Sequence, residues 1–170
     1  MKSKTRIIIY RLIPVAVIMG IIFYSSSQPY SEQNLQPLID RNFQLPDQIV
    51  AFLSNISFNY AGQPVSIEAR GLPGFIEFFI RKGAHFSVYF ALAVFTAWMV
   101  RLWIKSPFKV FAVTILLSFL YACTDELHQS FTGDRTSLFH DVMIDTVGAA
   151  IGTIIFLSWI RHREKKRLTQ

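Results

Sequence analysis

The chain has 170 residues, 52% of them hydrophobic and 15% aromatic, with a mean hydropathy of +0.36 and a formal net charge of +6. Its apolar residues come in long blocks rather than short amphipathic periods, which excludes an ordinary soluble domain and points to a membrane protein. The basic residues flank those blocks instead of forming one patch, so the positive charge is not a nucleic-acid surface, and no nucleic-acid partner is expected.

A hydrocarbon core of about 30 Å takes about 20 mainly apolar residues per helix, and four blocks approach that length. The first, IIIYRLIPVAVIMGIIFY, predicts a span at about 7–24. Arg11 can snorkel to the near interface, and Pro14 is tolerated inside a spanning helix. A basic start followed by an apolar run also looks like a cleaved signal peptide. Bulky Phe23 and Tyr24 precede SSSQPY where small residues are needed for cleavage, so an uncleaved span is expected.

Residues 25–74 then form one long polar loop carrying Pro29, Pro37, Pro46, Pro64 and Pro73. Within it Ile49, Phe52, Leu53 and Ile56 share one helical face, which predicts a short helix lying in the interface. The tripeptide NIS at Asn55 matches a glycosylation acceptor, a common chance match given little weight. The second span, AHFSVYFALAVFTAWMVRLWI, is placed at 84–104. The third and fourth apolar runs are short. They reach spanning length, at about 108–127 and 140–160, only if their polar flanks continue the helices. Cys123 is the single cysteine, so no intrachain disulfide is possible, and a small packing role is expected. The whole, 1–170, reads as one all-α polytopic membrane domain of four transmembrane helices with an extracytoplasmic loop.

Orientation follows from the basic residues. With the N-terminus inside, twelve of the seventeen Lys and Arg residues fall on the cytoplasmic side, and ten of the eleven acids face outward. Both termini are therefore expected in the cytoplasm of a multi-pass cell-membrane protein.

Against this apolar background, residues 122–148, ACTDELHQSFTGDRTSLFHDVMIDTVG, hold five of the eleven carboxylates and two of the four histidines. The segment joins spans three and four on the outer side, where span two also begins with RKGAHFSVY. On a helix Lys82, His85 and Tyr89 share a face. So do Asp125, His128 and Gln129, with Glu126 adjacent. Asp141, Asp145, Gly148 or Ala149, and Gly152 follow at three- and four-residue steps, and small residues beneath carboxylates allow close helix contact. Three helices can thus aim polar groups at one locus. His85 and Asp145 each lie about one turn inside a predicted span, where ionisable groups are costly and mark a functional site by default.

The motifs RKGAHFSVYF, TDELHQSFTGDR and DVMIDTVGAAIG, with FYSSSQP after span one, resemble the VanZ-like family of bacterial membrane proteins linked to teicoplanin resistance. The resemblance covers all four spans and implicates Lys82, His85, Asp125, Glu126, Gln129, Arg135, Asp141 and Asp145. Two departures stand out: Val88 occupies a place where many members carry Glu, and Asp145 replaces a frequent Asn. The resemblance implies low-level glycopeptide resistance and names no reaction.

Several readings of the cluster remain open at this stage. Asp125 and Asp141 can act as structural glue, neutralising helix ends and pairing with Lys82 or Arg135. Metal ligation by His85, His128 and the acids fits the ligand types, but no dense zinc motif is present, so neither metal nor cofactor is expected. As a binding site, Lys82 and Arg135 would hold an anionic envelope molecule, either a lipid-linked cell-wall precursor or the glycopeptide, with Tyr89, Gln129 and Asp141 lining it. Membrane lipids are the other expected partners. As a catalytic site acting on a phosphorylated lipid-linked precursor, His85 would be general base or nucleophile oriented by Asp145 or Asp125, with Glu126 a further catalytic candidate and Lys82 and Arg135 stabilising the developing phosphoryl charge. A proton-coupled transporter is a weaker reading because no internal repeat is visible. His140 and Asp134 read as solvated loop groups.

Overall fold

The computed structural model describes residues 2–132 and 138–168. Four helices are long and apolar enough to cross a membrane, which gives the all-α fold of a multi-pass membrane protein. They are α1 (Lys2–Ser26), α5 (Ile67–Val100), α6 (Pro107–Ser130) and α7 (Phe139–Leu168). Between α1 and α5 lie three short helices, α2 (Tyr30–Gln33), α3 (Gln36–Asn42) and α4 (Asp47–Ser54), and a hairpin of β1 (Phe58–Tyr60) and β2 (Gln63–Val65).

The polar flanks of the third and fourth apolar runs continue their helices. The α6 helix runs to Ser130, and α7 starts at Phe139 and carries on through the basic tail. Span two differs from its sequence assignment. Its helix begins at Ile67, seventeen residues before Ala84, and stops at Val100 rather than Ile104. The reason is local: Ser66 caps the start, its Oγ accepting from the Ala69 amide at 3.1 Å. Gly71, at φ 69 and ψ 165, then breaks the first turn in a conformation that suits glycine. Pro73 follows within the first turn of the resumed helix, where its missing N–H costs nothing. The long loop is therefore shorter than 25–74, and His85 lies in mid-helix rather than near its start.

The hairpin was not foreseen. It pairs Phe58 with Val65 and Tyr60 with Gln63, antiparallel, around Ala61 and Gly62 at φ 51 and 80. Two consecutive positive φ values match the twist of a tight hairpin turn. The expected interfacial helix corresponds to α4, with Ile49 and Phe52 exposed, but it ends at Ser54 and leaves Ile56 off its face.

The core has two layers. Toward the loop side, Val15 and Ile22 of α1 meet Tyr89, Leu92, Ala122 and Val142. Toward the termini, Ala97, Val100, Val110, Phe156 and Leu157 pack together. Helices α5 and α7 make the closest approach. A Cβ built on Gly148 would sit 2.5 Å from the Phe86 carbonyl oxygen, and one on Gly152 the same distance from that of Phe90. Glycine is thus what lets these two helix backbones touch. Cys123 is half-buried against the loop-side layer. Outward-facing Ile9, Ile13, Val17, Ile21, Ile151, Ile154 and Ile155 form the apolar exterior.

Candidate functional site

Three helices bring the ionisable residues together at the loop side of the bundle. From α5, Lys82 Nζ donates to Asp141 Oδ1 in the first turn of α7, where an acid also complements the helix dipole. The Tyr60 hydroxyl of the hairpin donates to the same carboxylate oxygen. Burial, then the bond to Asp141, pushes the Tyr60 phenol above its ordinary ionisation range, so it stays a donor. One turn below Lys82, His85 Nδ1 lies 3.6 Å from Asp145 Oδ1. That is an ion-pair separation slightly beyond hydrogen-bond length. Asp145 is wholly buried, and neither of its oxygens has a hydrogen-bond partner among the described residues.

On α6, Asp125 accepts from Gln129 Nε2 at 3.0 Å, and the same amide reaches Ser26 Oγ of α1 at 3.2 Å. Glu126 Oε2 accepts the backbone N–H of Leu138 at 3.0 Å, which ties the end of α6 to the residue before α7. Its second oxygen and the Tyr89 hydroxyl are buried without hydrogen-bond partners among the described residues. Four acids, Asp125, Glu126, Asp141 and Asp145, thus face Lys82 and His85. A buried carboxylate without a partner is costly.

Of the sequence-derived candidates, Lys82, His85, Tyr89, Asp125, Glu126, Gln129, Asp141 and Asp145 all sit in this region of the bundle. Arg135 and Asp134 lie outside the described residues. His128 stacks on Phe23 of α1, with ring centroids 4.5 Å apart, and His140 lies against the Tyr60 ring. Among the described residues, no three His, Cys, Asp or Glu side chains group as metal ligands.

The sequence reading missed several residues. Tyr60 enters the site from a hairpin that had not been recognised. Glu77, 3% exposed, accepts from the Tyr30 hydroxyl and the Gln36 amide at 2.9 Å each, and from the Leu35 N–H at 3.2 Å. Arg81 lies one turn on, 3.9 Å from Glu77. Glu77 anchors α2 and α3 onto α5, and burial followed by the bond to Glu77 raises the Tyr30 ionisation range. An acid alone within LPGFIEFFI was the available signal. Beneath this anchored loop lies a cavity of about 370 Å³ whose lining includes Lys82.

No curated protein and no solved structure matches the chain. The VanZ/LLP1 family model matches residues 11–161, which reaches into all four apolar helices and includes every described residue of the cluster. The chain belongs to the VanZ/LLP1 family.

Proposed function

We propose that the protein holds an anionic cell-envelope molecule at an outer-leaflet polar site and thereby contributes to glycopeptide resistance. The observation that carries this reading is the position of Lys82. It is fixed by Asp141, with its ammonium 4.9 Å from the centre of the Tyr60 ring, and it lines the cavity under the loop. A cation held in place at a cavity wall pays little ordering cost when an anion arrives. With both termini cytoplasmic, as the basic residues favour, that cavity faces the outer side. A lipid-linked precursor suits the site because its chain can remain in the bilayer while its charged group reaches Lys82.

A second reading is favoured by one specific observation, the approach of His85 to a wholly buried Asp145. A carboxylate beside one ring nitrogen fixes the tautomer, so the other nitrogen can accept a proton from a nucleophile. On that reading the protein is an intramembrane enzyme acting on a phosphorylated lipid-linked precursor, and the ion pair tightens when substrate binds.

Glycopeptide susceptibility of Lys82→Gln and His85→Asn strains, compared at matched protein abundance, separates the two. Binding predicts that Lys82→Gln removes resistance while His85→Asn, which keeps a neutral hydrogen-bonding group, retains most of it. Loss of resistance in His85→Asn alone supports the enzyme.

A further inference from the structure

The cavity under the loop carries two more cations, which motif spacing does not single out. Arg70 and Arg81 line it together with Lys82. Each of the three lies over an aromatic ring of the same wall: Arg70 is 5.2 Å from the Phe78 centroid, Arg81 is 5.0 Å from Tyr30, and Lys82 is 4.9 Å from Tyr60. The rings hold the cations in place, and of the three only Arg70 lacks an acid at ion-pair distance among the described residues, since Lys82 pairs with Asp141 and Arg81 lies 3.9 Å from Glu77.

The local acids leave the two arginines without an acceptor. Asp141 is taken by Lys82 and Tyr60, and Glu77 by three donors from the loop. Arg70 uses its Nε on the Pro64 carbonyl at 3.0 Å and has no acid within ion-pair distance among the described residues. Arg81 Nη1 is buried without a hydrogen-bond partner among the described residues, because Glu77 at 3.9 Å is too far to serve. A buried guanidinium nitrogen without an acceptor, in a cavity with an uncompensated arginine, indicates an acceptor supplied from outside.

We infer that this cavity is a phosphate subsite, taking the phosphate or diphosphate group of the bound molecule through Arg70, Arg81 and Lys82. Three cationic side chains on one wall, two of them with an acid at ion-pair distance, offer more donors than a lone carboxylate can use and suit a group with several acceptor oxygens. The volume, at the small end of ligand pockets, is enough for a phosphorylated head group. The inference rests on the reading that the ligand is an anionic envelope molecule, and it narrows that class to phosphate esters. The same chemistry is offered by a lipid head group and by a free phosphate, and the experiment below distinguishes them.

The full chain in nanodiscs of zwitterionic lipid is titrated calorimetrically with inorganic pyrophosphate, with acetate and with farnesyl diphosphate. Arg70→Gln tests the exposed cation, whose replacement leaves the core intact, and Arg41→Gln on exposed α3 is the control. The expected result is pyrophosphate binding that outcompetes acetate, weakened roughly tenfold or more in Arg70→Gln and unchanged in Arg41→Gln. Tighter binding of farnesyl diphosphate than of pyrophosphate identifies a lipid head group; equal binding identifies a free phosphate. Pyrophosphate binding that is absent, matched by acetate or indifferent to Arg70 overturns the subsite. If an envelope lipid is still retained through Lys82 in that case, the function proposed above stands without it.

Discussion

Gly148 of α7 lies against the Phe86 carbonyl of α5 so closely that a Cβ would come within 2.5 Å of the oxygen. The same holds one turn on for Gly152 and Phe90. This contact sets the separation of the two helices that carry His85 and Asp145. Because the obstacle is backbone rather than a flexible side chain, the helices must part to admit a methyl group. Gly148→Ala is expected to lower stability by about 1–3 kcal/mol, read as a lower thermal midpoint in detergent. An unchanged midpoint would mean that the helices are not held at this distance.

Lys82 and Asp141 are predicted to be energetically coupled. Lys82→Asp and Asp141→Lys each leave like charges facing one another, whereas the double exchange restores an opposite pair. Coupling of about 0.5–3 kcal/mol is expected from a double-mutant cycle on thermal stability. Additive effects would show that the two side chains do not meet.

Glu77 ties the loop to α5 through three donors. Removing the acceptor leaves buried donors unpaired, at about 1–3 kcal/mol for each group that water cannot reach. Glu77→Ala should therefore speed amide hydrogen exchange across 30–42 while α6 and α7 keep their protection. Uniform loss of protection would instead make Glu77 part of the global core.

The Tyr60 phenol holds its proton more tightly in the folded protein than in the unfolded chain. Its contribution to stability is therefore complete below the ordinary tyrosine range, begins to fade as pH rises above about 10 and is lost only toward the higher folded-state value. Between about pH 9 and about pH 11, Tyr60→Phe should lose less stability than the unaltered protein. Parallel losses would show that Tyr60 is not held by Asp141.

The four apolar helices and most of the cluster were legible in sequence because both depend on short-range spacing. Lys82, His85 and Tyr89 share a face on any α-helix, and Gly148 and Gly152 lie below Asp145 on α7 for the same reason. What spacing does not carry is contact across the long loop. Tyr60 reaches Asp141 only because a hairpin folds over the bundle, and Glu77 meets Tyr30 and Gln36 from more than forty residues away. The start of α5 was misplaced because Gly71 and Pro73 read as loop signals, although one ends a turn and the other restarts the helix. Arg70 and Arg81 carry no motif signal of their own in the sequence. Their meaning comes from the rings beneath them, Phe78 of the same helix for Arg70 and Tyr30 of the loop for Arg81.

On the proposed function, an anionic envelope molecule should be held at Lys82. Mass spectrometry of the lipids that co-purify with the protein from its membrane tests this most directly, comparing the unaltered chain with Lys82→Gln at equal protein amounts. One anionic species is expected to be enriched over the bulk membrane in the first sample and returned to bulk proportion in the second. The same lipid profile in both samples would contradict it.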